Sequence, residues 1–351
     1  VCVQQECIWE KQDVSMKSYQ LSRNERSGDA LIVTALGLGL AALGRPGYIN
    51  LGHARDLGRD YASAAMEAHA HDVLDAAWAA GVRYFDAARS YGRAEAFLVS
   101  WLHRRAIAAD AVTVGSKWGY TYTANWQVDA DVHEVKEHSL PVLRRQILES
   151  RGLLGAYLKL YQIHSATLES GVLENSVVLA ELAQLRETGL VIGLSLSGPA
   201  QARTLEKAMT IVMDGKPLFG AVQATWNLLD PSAGEMLAAA HRAGMGVIVK
   251  EALANGRLTA RNDDPTFAAQ RRALEEIATS LSVTIDALAL AAVLNQEWAT
   301  VVLSGAATVD QLKSNVTALQ VAWSPGLAAA LAGLAEAPAD YWASRGRLAW
   351  N

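Results

Sequence analysis

Cysteine is nearly absent. Cys2 and Cys7 are the only two in 351 residues, and both lie at the N-terminal edge. The body of the chain therefore has no disulfide framework and no thiolate metal site, a usage that suits a reducing cytoplasm. Dense Lys/Arg runs are also missing, and a net charge of -5 with a pI near 5.9 argues against a nucleic-acid partner. The most apolar stretch, Ala30 to Leu43, is shorter than a membrane span, is broken by Gly37 and Gly39, and follows a mixed-charge segment. It reads as neither a transmembrane helix nor a signal peptide. No methionine precedes Met16, and residues 1–15 carry no apolar period, so they read as a disordered leader or upstream remnant, with 16–351 as the folded unit. Histidines at metal-ligand spacing are wanting too: His69 and His71 face different ways on a helix, and His133 and His138 are five apart, so solvated side chains explain them. No internal repeat, low-complexity tract or linker divides the chain.

A repeated pattern is present instead. From Leu31 onward, short β-branched or apolar runs alternate with longer amphipathic stretches. Eight candidate strands are Leu36–Leu40, Arg83–Asp86, Ala111–Ser116, Leu158–His164, Val191–Ser195, Ala221–Trp226, Gly246–Val249 and Thr300–Leu303. Helices fit His69–Ala80, ending at Gly81, and Asn175–Thr188, ending at Gly189; others start after Pro199, Pro231, Pro265 and Thr284. Eight strands alternating with helices predict an α/β fold, a (β/α)8 TIM barrel, with an open doubly wound sheet as the other arrangement this pattern allows. Three stretches exceed ordinary loop length: 45–63, 118–139 and the tail 337–351, which the pattern places over the active-site mouth.

Four polar residues end or follow the apolar runs: Asp86, Tyr91, Lys117 and His164. Singly, each has a bland explanation as a cap, a packing residue or a solvated charge. Together they describe a chemistry. A phenol titrates near 10 and donates a proton poorly at neutral pH unless its anion is stabilised. A neighbouring Lys ammonium lowers that value, an Asp holds the Lys in place, and an imidazole can orient a carbonyl oxygen. On a barrel all four would share the C-terminal rim, where such folds place their active sites. The aromatics Tyr48, Trp118, Tyr120, Trp126 and Trp226 sit mostly in loops without apolar period and read as pocket walls for a flat, cyclic or sugar-like substrate.

The segments Phe85-Asp86-x-Ala88-x-x-Tyr91-Gly92-x-x-Glu95, Ser116-Lys117, Ile163-His164 and Leu303-x-Gly305-Ala306, with Gln311 and Asn315 following, resemble the aldo-keto reductase superfamily in order, spacing and strand context over roughly residues 30–325. The resemblance implies a (β/α)8 barrel, Tyr91 as proton donor with Asp86, Lys117 and His164, and a nicotinamide dinucleotide bound without a Rossmann fold. The sequence agrees on the last point, since Gly37, Gly39 and Gly44 do not form the G-x-G-x-x-G fingerprint. Implied cofactor contacts are Ser195 and Gln223 for the carboxamide, and Lys250, Leu253 and Gly256 on the loop after the seventh strand. Gly305, Thr308, Gln311 and Asn315 follow at the last strand and its helix.

Two departures stand out. Leu196 replaces an expected asparagine, and Lys250 stands where the family has an aromatic ring; Lys250 meets either the cofactor or Glu251. Thr308 and Gln311 also read as a capping box that needs no ligand. Arg261, on the loop after the seventh strand, supplies charge for a 2′-phosphate, which favours NADP(H) over NAD(H). The expected activity is an NAD(P)(H)-dependent interconversion of an aldehyde or ketone with its alcohol, without a metal, in a cytoplasmic protein that acts on small molecules and contacts neither nucleic acid nor membrane. A dinucleotide-binding sensor with weak turnover is the alternative, motivated by Leu196 and Lys250.

Overall fold

The computed structural model describes residues 16–23, 28 and 30–351, so the expectation for 1–15 lies outside the described residues. Its strands are, in chain order, β1 Ser18–Arg23, β2 Ala30–Thr34, β3 Leu36–Gly39, β4 Tyr84–Asp86, β5 Thr113–Trp118, β6 Tyr120–Tyr122, β7 Glu134–Lys136 and β8 Leu158–Ala166. β9 Val191–Leu196, β10 Val212–Met213, β11 Lys216–Pro217, β12 Ala221–Thr225, β13 Gly246–Lys250 and β14 Val301–Ser304 complete the set. Each of the eight runs read from the sequence forms a strand, and those eight close into one parallel barrel in the order β12-β13-β14-β3-β4-β5-β8-β9. The architecture is the (β/α)8 barrel. Burial on both faces explains why these strands read as continuous apolar runs, with β4, β5, β9 and β12 buried at every residue.

The helices follow the sequence signals closely. Thr284 and Thr308 cap helices Ile285–Leu294 and Val309–Val316 through their hydroxyls, which accept from Ala287 N at 3.2 Å and Gln311 N at 3.2 Å. The first long helix, Ser63–Ala79, starts earlier than expected, because its buried stripe continues back through Ala70 to Met66. No single helix among the described residues is long and apolar enough to cross a membrane.

The apolar stretch Ala30–Leu43 holds two strands rather than one. β2 pairs antiparallel with β1, and this hairpin closes the barrel end away from the strand C-termini. Leu21, Leu31 and Val33 pack there against Tyr84, Leu160, Ile248 and Val301. The contact reaches the backbone: a Cβ at Gly246 would lie 2.1 Å from the Leu21 carbonyl oxygen. Only glycine lets β13 begin under the hairpin. Gly246→Val is therefore expected to lower the unfolding free energy by about 2 kcal/mol or more in denaturant titration; wild-type stability would show that the hairpin does not seal the barrel.

Each long loop builds part of the opposite end. The segment 45–63 contains the short helix His53–Asp56, the segment 118–139 folds into the β6/β7 hairpin, and the tail forms helix Pro338–Gly346. As expected, the tail lies over the mouth: Tyr341 and Trp342 bond to Asn227 and Asp230 at 2.9 Å each, and Asn351 exchanges backbone hydrogen bonds with Tyr48.

Candidate active site

Asp86 ends β4 in register with Gly39 and Gly115. Lys117 lies two residues beyond Gly115 on β5, on the same inward face. Its Nζ donates to Asp86 Oδ1, with the two side chains 0% and 2% exposed, and to the Ala87 carbonyl at 2.9 Å. The other carboxylate oxygen accepts from Gln223 Nε2 at 2.9 Å, the Tyr84 hydroxyl at 3.1 Å and Gln162 Nε2 at 3.4 Å. A buried ion pair persists only when its remaining lone pairs are satisfied in this way.

Tyr91 sits on the loop after β4. That loop is pinned by three main-chain bonds: Ala87 N to Gly115 O at 2.8 Å, Arg89 N to Lys117 O at 3.1 Å, and Arg93 N to Gly44 O at 2.7 Å. A Cβ at Gly44 would fall 2.2 Å from the Tyr91 carbonyl oxygen, so this approach requires glycine. Glu95, which ends the motif, is a buried anchor that accepts from Arg89, Ser116 and Ser150. The Tyr91 hydroxyl is thereby held 3.4 Å from Lys117 Nζ. Burial, then the charge on Asp86, pushes the phenol well above its ordinary value, and Arg45 opposes them.

His164, on β8, meets Tyr91 edge to face at 5.5 Å and Tyr120 at 4.9 Å between ring centroids. Its Nδ1 lies 3.4 Å from Ser90 Oγ. Burial, reinforced by the charge on Lys117, holds the imidazole well below its usual range, so it is neutral at neutral pH. His164 is a polar neutral neighbour of Tyr91 and not a third cation.

Asp86, Tyr91 and His164 border a cavity of 590 Å³ that runs to the start of helix Val309–Val316. Gln223, Lys250, Leu253, Gly256, Arg261, Gly305, Gln311, Asn315 and Tyr48 line the same cavity, and Lys117 lies beneath it. Ser195 and Thr308 do not line it. Ser195 Oγ accepts from Ser165 N at 2.8 Å. Thr308 and Gln311 instead form a mutual cap, with Gln311 Oε1 accepting from Ala307 N at 2.8 Å. Lys250 donates to Thr225 Oγ1 at 2.7 Å and lies 3.7 Å from Glu251, and burial lowers it to about 8. Glu251 is held down at about 2; burial acts the other way, but Arg345 and Lys250 outweigh it.

Three expected pocket walls turn away from the cavity. Lys117 and Gln223 face the barrel interior, so strand alternation sends Trp118 and Trp226 outward into the helix layer, where they meet His138 and Trp298 edge to face. Trp126 packs on Phe97 and donates to the Tyr61 carbonyl at 2.7 Å. Tyr120 packs edge to face on His164 without lining the cavity itself. The sequence reading missed Arg45, Glu134, Arg345 and Trp350, all of which line the cavity. The signal for them was weak: Gly44-Arg45-Pro46-Gly47 follows a strand, and the tail carries three aromatics.

The lining suits a dinucleotide. Asn255 Oδ1 is buried against the cavity without a partner, and a Cβ at Gly305 would meet nothing within 4 Å, so an unpaired acceptor and open space beside the backbone border the cavity. No group of three or more His, Cys, Asp or Glu among the described residues could hold a metal.

A parallel eight-stranded barrel carrying this rim is the framework of an oxidoreductase class, and comparison supports that. The Aldo/keto reductase family model matches residues 35–335, and the chain belongs to that family. An uncharacterized oxidoreductase of Bacillus subtilis strain 168, YqkF, is 25% identical over 267 residues, covering 70% of this chain and 80% of its own. The holo form of aldo-keto reductase AKR11C1 from Bacillus halodurans superposes with a TM-score of 0.67 at 22% identity, covering 92% of this chain and 97% of the other. PA4992 of Pseudomonas aeruginosa, assigned to the same class, gives 0.58 at 23% identity, covering 86% and 95%. These likenesses establish the fold.

Lys117→Met leaves the Asp86 carboxylate buried without its cation. It is expected to cost about 3–5 kcal/mol of unfolding free energy at neutral pH, with Asp86→Asn added to Lys117→Met restoring much of it. A single-variant loss under about 1 kcal/mol would mean that the pair does not hold the rim together.

Proposed function

We propose that this protein is a nicotinamide-dinucleotide-dependent oxidoreductase that interconverts an aldehyde or ketone with its alcohol, with Tyr91 as the acid or base. The observation that carries the reading is Lys117 Nζ, bonded to Asp86 and 3.4 Å from the hydroxyl of Tyr91, which borders the same cavity as His164. Gln223 and Lys250 would hold the nicotinamide end of the cofactor; Gly256, Arg261, Gly305, Gln311 and Asn315 would hold the rest. When bound, the dinucleotide supplies or accepts hydride at the carbonyl carbon.

In reduction, Tyr91 donates its hydroxyl proton to the carbonyl oxygen as negative charge develops there. Lys117 stabilises the phenolate left behind, and Asp86 keeps Lys117 oriented and balanced in charge. Neutral His164 bonds the carbonyl oxygen and turns it toward Tyr91. Oxidation reverses each proton movement. The rings of Tyr48, Tyr120 and Trp350 beside the charged groups Arg45 and Glu134 suit a hydroxylated, cyclic or sugar-like carbonyl.

The choice of dinucleotide turns on the far end of the cavity. Arg261 makes a two-pronged bond to Asp56, at 2.7 and 2.6 Å, and Arg257 pairs with Glu336. Asp286 and Asp310 border the same end. A 2′-phosphate would meet three carboxylates and an arginine already engaged, so we read the site as preferring NAD(H).

Two measurements test this. Tyr91→Phe is expected to lower kcat/KM for a carbonyl substrate by about 10³-fold while leaving dinucleotide affinity unchanged; full turnover would overturn the assignment. Fluorescence titration is expected to show tighter binding of NADH than NADPH, and Asp56→Asn should narrow that gap by roughly fivefold or more. Tighter NADPH binding by the wild type would contradict the cofactor reading.

A further inference from the structure

Arg45 has no place in the foursome, yet it is 3% exposed and lies against its central member. Its guanidinium carbon is 5.2 Å from the Tyr91 ring centroid, 5.1 Å from Tyr48 and 4.8 Å from Trp350. Nη1 donates to the carbonyl of Ser90, the residue before Tyr91, at 3.0 Å, and to Glu134 Oε2 at 2.9 Å. Nε is buried with no partner. Lys117 Nζ lies 4.8 Å from the same Tyr91 centroid, so one phenol ring is within reach of two cations. An arginine costs stability when buried this deeply, and a single carboxylate that is itself 24% exposed offsets only part of that cost.

We propose, resting on the reading of Tyr91 as acid or base, that Arg45 is a positioning residue for Tyr91: it fixes the ring by its cation–π contact and its bond to Ser90, and it stabilises the phenolate. Trp350 and Tyr48 in turn hold Arg45, which couples the tail to the acid/base residue. The charged groups around Tyr91 support this. Asp86 from β4, Glu134 from β7 and Glu251 beyond β13 all disfavour the phenolate, while the buried phenols Tyr84 and Tyr48 and the neutral His164 lend no positive charge. Arg45 is the group that acts against the three carboxylates, alongside Lys117 at hydrogen-bond distance.

The test is the pH profile of kcat/KM for alcohol oxidation by the full chain, where activity rises as Tyr91 loses its proton. Arg45→Met is expected to move that limb up by about one unit, so that oxidation on its acid side falls roughly tenfold, whereas Arg45→Lys keeps the limb near its wild-type position. Trp350→Leu, a change at the half-buried rim that leaves the core intact, should move the limb in the same direction by less. A role confined to packing would lower kcat/KM evenly across pH, and an unmoved limb in Arg45→Met or, should that variant fail to fold, in Trp350→Leu overturns the proposal. A wild type without turnover overturns the reading of Tyr91 and this inference together; wild-type turnover with an unmoved limb overturns the inference alone.

Discussion

The rim of this barrel depends on one buried ion pair. Neither Lys117 nor Asp86 could be sealed from water alone, because an isolated charge in that environment costs several kcal/mol. Paired, each answers the other, and the groups that complete them come from all around the barrel: Tyr84 from β4 itself, Gln162 from β8, Gln223 from β12 and the Ala87 carbonyl from the Tyr91 loop. Strand register is thus tied to electrostatics. A slip of one residue in β5 would turn Lys117 into the helix layer and leave Asp86 unpaired.

Tyr91 inherits its position from that pair and from two contacts outside it. Gly44 admits the Tyr91 backbone at a distance closed to every other residue, and Arg45, next in sequence, lies on the ring. The loop after β3 therefore shapes the site as much as the loop after β4 does. The tail joins through Trp350, which stacks on His133 at 4.0 Å and on Arg45, and through Arg345, which bonds both carboxylate oxygens of Glu251. Distant stretches of sequence close one mouth.

The eight barrel strands and the four rim residues were legible in the sequence for a shared reason. Strands buried on both faces stand out as apolar runs, and a polar residue that ends or closely follows such a run has few places to go except a rim. The facing of Trp118 and Trp226 was legible in principle, since period-two alternation from Lys117 and Gln223 sends both outward, but their adjacency to loops suggested pocket walls instead. The β1/β2 hairpin was hidden because β2 runs into β3 without a turn residue between them. Arg45, Glu134, Arg345 and Trp350 meet only in three dimensions, and no spacing in the chain announces such a cluster. The charge at the far end of the cavity was half legible: Arg261 was visible, but its bond to Asp56, some two hundred positions away, was not.

Hydride exchange between a nicotinamide dinucleotide and a carbonyl is the activity we propose for this rim. Turnover of an aldehyde and sugar panel with reduced dinucleotide carrying deuterium at the transferable position, followed by mass spectrometry of the alcohol, tests it most directly. One deuterium is expected on the carbinol carbon of the product, with transfer lost in Tyr91→Phe. Dinucleotide that binds in the cavity and passes no label to any carbonyl compound would contradict it.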